Sequence, residues 1–187
     1  MGTRLPSGRR WLRAVFQDPQ RTVVVCGMAA AASGARTDET VFWAPGLWYG
    51  LALAIVHGRG GWLHRAAFVV LAALIYESAV GMTLGAPIAL GWSAPLAAGV
   101  AGAWGAWALL GAGAGLGWYR IRGWGWRTAA VGGLAGVVFL WMFVVALFDP
   151  SNSQGERLRL IAAYAMWQIP VGWPLMRART AREASNA

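Results

Sequence analysis

The sequence predicts an all-α protein: a polytopic integral membrane helix bundle with six transmembrane helices and both termini in the cytoplasm (N-in/C-in). Three observations carry that expectation. The 187 residues are 58% hydrophobic and only 12% charged, about half the charged share of an ordinary soluble domain. The apolar residues come in six blocks separated by short arginine-bearing segments, the pattern of a chain that crosses a bilayer repeatedly. Thirteen of the sixteen arginines fall in segments that six crossings would leave in the cytoplasm, as the positive-inside rule demands.

Residues 1–21 form a basic N-terminal segment. Within "RRWLRAVF", Trp11, Leu12, Val15 and Phe16 share one helical face, which suits either a short helix on an anionic membrane surface or a positive flank before the first span. The bundle itself is expected over residues 22–176. Its first run, 22–35, is short against the roughly 20 residues a span needs. A basic lead and the trailing "AASGA" make a cleaved signal peptide the rival reading, which would leave five spans. The second run, 41–57, is also short. The third (66–85), fourth (95–118), fifth (128–148) and sixth (158–176) are long enough. Pro87 and Pro95 bracket the loop after the third run and are expected to end helices. Pro170 lies inside the sixth run and predicts a kink, with a freed carbonyl that needs a donor. Residues 177–187 read as a cytoplasmic tail.

Orientation follows from the charges. The inside segments hold, among others, Arg59 and Arg65, then Arg120, Arg122 and Arg127, then Arg177, Arg179 and Arg182, whereas the outside segments hold only Arg36, Arg157 and Arg159. The acids Asp38, Glu39, Asp149 and Glu156 fall outside. A bacterial inner membrane is the expected location. Many of the thirteen tryptophans sit at run ends (Trp43, Trp62, Trp92, Trp118, Trp124, Trp126, Trp173), where their amphipathic rings meet headgroups. Trp104, Trp107, Trp141 and Trp167 sit deeper. Trp104 and Trp107 are candidates to line a site for a pigment, quinone or lipid, with plain helix packing as the alternative.

Several classes of function find no support in the sequence. The net charge of +9 sits between apolar runs, so lipid headgroups and topology explain it better than nucleic acid does. The single cysteine, Cys26, reads as a small buried hydrophobe. His57 and His64 flank a short loop at the inner face and read as interfacial; no third ligand accompanies them, so no metal site is assigned. "GAGAGLG" at 111–117 lacks both the spacing and the following Lys-Ser/Thr of a phosphate loop. No catalytic residue, and no particular cofactor, is indicated.

Two features point to packing and binding. Small-xxx-small pairs recur at Gly46/Gly50, Gly81/Gly85, Gly111/Gly115, Gly113/Gly117 and Gly132/Gly136, spacing that lets helices approach closely in lipid. The third run also carries one acid, Glu77, roughly 17 Å deep by the helical rise. Ala73, Glu77, Gly81 and Gly85 follow at i, i+4, so the carboxyl is expected to face another helix or a cavity. Gln168 reaches the same depth in the sixth run and shares a face with Tyr164 and Gly172. A Glu77–Gln168 hydrogen bond with Tyr164 nearby is the expected site. On this reading the chain binds or moves a small molecule or ion with Glu77 in its site. The alternative is a non-catalytic accessory or scaffold subunit, packed through its glycine faces against a membrane protein partner or a second copy.

Overall fold

In the computed structural model, residues 19–35, 43–148 and 153–185 are described, so the basic segment 1–18 and its surface helix lie outside the described residues. The chain is all-helical there. Six helices follow in order: α1 (Pro19–Ala35), α2 (Ala44–His57), α3 (Trp62–Leu90), α4 (Ala94–Gly115), α5 (Gly125–Phe148) and α6 (Ser153–Ser185). Three of them, α3, α4 and α5, are long and apolar enough to cross a membrane. Each helix packs on the next, and α6 returns to pack on α1. The result is a closed ring of helices in chain order.

The six predicted runs each become a helix, and the differences lie at the prolines. Pro87 was expected to end the third helix. It lies inside α3 instead, which stops at Leu90 with Gly91 in the left-handed region. A single proline leaves one carbonyl without its i+4 donor, and the long apolar helix absorbs that loss. α6 contains Pro170, as expected, and also Pro174, and it continues to Ser185, so most of the expected tail is the last part of a helix. Near this stretch the Tyr49 hydroxyl of α2 donates to the Gln168 carbonyl at 2.9 Å, tying α2 to α6.

Glycines set the closest helix contacts. A Cβ on Gly46 or Gly50 would collide with Ala72, Ala73 and Tyr76 of α3, so the predicted Gly46/Gly50 pair seats α2 on α3. Gly132 and Gly136 of α5 lie backbone to backbone against Ala98 and Gly102 of α4. Gly113/Gly117 is not a packing pair. Gly117 takes φ +79° and stops α4: its N–H bonds the Ala114 carbonyl at 2.9 Å and the Trp118 N–H bonds that of Gly113 at 2.7 Å. That is the Schellman arrangement, which needs a left-handed residue and favours glycine there.

The arginine-bearing loops gather at one end of the ring. The Trp118 indole donates to the Arg59 carbonyl at 2.9 Å, and the Arg120 N–H donates to the Ala178 carbonyl of α6 at 3.1 Å. Arg179 donates to the Val56 carbonyl, satisfying one of the last free acceptors of α2. Arg127 lies over the rings of Trp124 and Trp126, and Arg177 over that of Trp173. These cation–π contacts hold the guanidinium groups around the same end.

Candidate functional site

Glu77 stands sixteenth in the 29-residue α3, at its midpoint. It is exposed on the outside of the ring and makes no hydrogen bond or ion pair among the described residues. The expected Glu77–Gln168 bond is therefore not formed. Gly81 and Gly85 share this outward face, and a Cβ on either would meet nothing within 4 Å. Val70, Leu74, Glu77, Gly81, Leu84 and Ile88 are spaced alternately by four and three residues, and Val70, Leu74, Leu84 and Ile88 stay exposed, Ile88 at 88%. This is the spacing with which one helix packs along another.

Trp104 and Trp107 lie on α4 with their rings 6.3 Å apart. Both are exposed rather than turned into an internal site. The Trp104 indole N–H donates to the Ser78 Oγ at 3.0 Å, and that hydroxyl donates to the Ile75 carbonyl at 2.7 Å. The outward polar groups at mid-helix are thus Ser78 and Trp104, already paired with each other, and Glu77, which is not.

Gln168 is 1% exposed and turns toward α1. Its Nε2 donates to the Ser33 Oγ at 3.3 Å, and Ser33 donates to the Ala29 carbonyl at 2.7 Å. Its Oε1 is buried without a partner. An unsatisfied buried acceptor costs about 1–3 kcal/mol, while a long, neutral bond adds 1 kcal/mol or so at best. Gln168→Leu is accordingly expected to leave thermal stability unchanged or to raise it slightly. A clear fall in the melting temperature of the purified variant would mean that something else binds that oxygen.

His57 corrects the interfacial reading. It is fully buried, because α2 ends at this residue and Gly58 turns the chain away, leaving the ring inside. Its Nδ1 pairs with the Tyr119 hydroxyl at 2.9 Å and its Nε2 lies 3.4 Å from the Thr22 hydroxyl. Burial pushes the Tyr119 phenol above its ordinary range, so it stays a hydroxyl. His64 is exposed, and the two histidines do not share a site.

A pocket between the helices, open at Leu84, brings together residues of α3, α4, α5 and α6. Tyr76, Thr83, Phe139, Phe143, Tyr164 and Trp167 supply its larger walls, around a volume of 160 Å³. Ala79, Ala98, Ala101, Gly102 and Gly136 leave the space between them. Tyr76 and Tyr164 both line it. Tyr164 also packs on Phe139 with ring centres 5.4 Å apart.

Of the five residues singled out in the sequence, only Tyr164 reaches this pocket. The partner it was expected to find near Glu77 is the preceding residue, Tyr76. One helical residue is 100° of rotation, enough to put Tyr76 inside and Glu77 outside. A usable signal was present: Gly46 and Gly50 need small or backbone surface opposite them, and "AALIY" at 72–76 offers it. No protein-family model, curated protein or solved structure matches this chain, so its function is read from these residues alone.

Proposed function

We propose that the protein is a non-catalytic accessory subunit of the bacterial inner membrane, crossing it six times with both ends in the cytoplasm. On this reading it assembles with a membrane partner along the outer face of α3. The observation that carries it is Glu77. An ionisable group at the centre of a span costs about 2.5–3.5 kcal/mol on insertion scales unless it is paired. Within this chain nothing described pairs it. Gly81 and Gly85 beside it leave room for a second backbone to approach. Charge complementarity then specifies the partner as a transmembrane helix with a lysine, arginine or histidine at matching depth. A second copy fits less well, because every arginine of this chain lies outside the apolar stretches that its own helices would bury. The sided arginine distribution and the gathering of the loops at one end support the topology.

A photo-crosslinking residue placed at Gly81 in native membranes tests the proposal, with the same residue at Leu134, exposed on α5, as control. The expected result is an adduct to one protein from position 81 only, on a helix that carries a basic residue. Glu77→Leu should weaken the association behind that adduct about thirtyfold or more, since truncating one partner of a buried charge pair costs about 2 kcal/mol or more. Lipid adducts alone, or an adduct indifferent to Glu77→Leu, would overturn the reading. The other reading, small-molecule binding, is favoured by the pocket between α3 and α6, which contains Tyr164 but not Glu77.

A further inference from the structure

The pocket walled by α3 to α6 meets the outer face of α3 at Leu84, and its own chemistry narrows what it can hold. Its walls are almost wholly hydrocarbon and aromatic, with Tyr76, Phe139, Phe143, Tyr164 and Trp167 presenting rings to a 160 Å³ space. A dry cavity of about 150 Å³ takes up a benzene-sized ring. No charged side chain lines it, so a charged ligand would be desolvated without compensation. Thr83 already donates to the Ala79 carbonyl at 2.9 Å. The tyrosine pair differs. Each hydroxyl carries one proton that it can donate. No acceptor among the described residues outside the pair takes either proton, and hydrocarbon offers no water to do so.

We propose that this pocket is a binding site for a neutral, ring-bearing lipophile with a carbonyl oxygen on its ring, the class to which quinones belong. The aromatic walls take the ring, and a hydroxyl of the Tyr76–Tyr164 pair donates to the carbonyl. Either tyrosine can be the donor, so the site tolerates loss of one hydroxyl and not of both.

A matched pair of probes tests this on the full chain in lipid nanodiscs. Tetramethyl-1,4-benzoquinone has no ring position open to thiol addition. 1,2,4,5-Tetramethylbenzene has the same methylated six-membered ring without the carbonyls. Binding is measured by equilibrium dialysis as uptake above that of empty nanodiscs. The expected result is saturable, one-to-one uptake of both, with the quinone favoured roughly fivefold, the worth of one neutral hydrogen bond. Tyr164→Phe and Tyr76→Phe should each keep that preference, and the double variant should lose it while still binding tetramethylbenzene. Ala101→Leu, which places a larger side chain at a buried pocket position, should lower uptake of both at least about tenfold. If Ala101→Leu does not fold, the double tyrosine variant still decides the matter. Equal uptake of the two probes by the unaltered chain, a preference that survives in the double variant, or no saturable uptake would each overturn the proposal. A failed Gly81 crosslink would leave these outcomes untouched.

Discussion

Replacing Gly102 by valine is expected to destabilise the bundle by about 3 kcal/mol or more, at the top of the range for overpacking a well-packed site. A Cβ there would meet the Gly132 carbonyl and the Gly136 Cα of α5. Backbone atoms cannot swing aside as the end of a flexible side chain can, so the two helices must part along their length. The contact is reciprocal: a Cβ on Gly132 would meet the Gly102 carbonyl, and one on Gly136 the Ala98 carbonyl. In lipid such helices are held by van der Waals contact rather than by exclusion of water. Separation therefore gives up much of what joins α4 to α5, and it deforms the pocket that Ala98, Gly102 and Gly136 help to wall. Gly81→Val is the control. It too lies on a long apolar helix, and its added methyl groups meet nothing. Its stability in detergent should change by no more than about 0.5 kcal/mol, while its effect should appear in assembly with the partner. Reversible unfolding in mixed micelles compares the two. If Gly102→Val and Gly81→Val unfold alike, the close approach of α4 and α5 is wrong.

That contrast shows what the sequence could and could not convey. The spacing of small residues announces that helices can come close, and Gly46/Gly50 and Gly132/Gly136 do so inside the ring. It does not say whether the neighbour is another helix of the same chain. Gly81/Gly85 has the same spacing and faces outward. Rotation about a helix axis is decided by the sum of contacts on all sides. A single i, i+4 row such as Ala73, Glu77, Gly81 and Gly85 cannot determine it, and the error of one residue exchanged Tyr76 for Glu77. The six helices were legible because apolar run length and arginine-bearing breaks are local properties. Pro87 misled because it costs a helix one hydrogen bond, and a long packed helix absorbs that cost.

Trp118 was the other misreading, and its removal is the second large effect expected. Its place at the end of an apolar run suggested a ring among the headgroups, yet it is fully buried. The cause is the residue before it. Gly117, in the left-handed region, turns the chain back under α4 and sends the indole into the core against Phe68, ring centres 4.7 Å apart. From there its N–H reaches the Arg59 carbonyl, so one side chain joins the loop after α4 to the loop after α2. The neighbouring Tyr119 holds His57, and Arg120 holds α6. Trp118→Ala should cost about 4 kcal/mol, within the usual span for truncating a buried aromatic. Trp118→Phe keeps a ring against Phe68 and loses the hydrogen bond, so it should cost about half as much. Trp126→Ala, at the same end but 70% exposed, should cost no more than about 0.5 kcal/mol. Unfolding of the three variants side by side separates the terms. Equal losses for Trp118→Phe and Trp118→Ala would put the whole effect on the bond to Arg59. Equal losses for Trp118→Ala and Trp126→Ala would return Trp118 to the surface. The tie lies at the arginine-bearing end, whereas the pocket draws on residues 76–84 of α3, toward the other. Folded Trp118→Phe protein should therefore still discriminate the quinone from tetramethylbenzene, although it melts earlier.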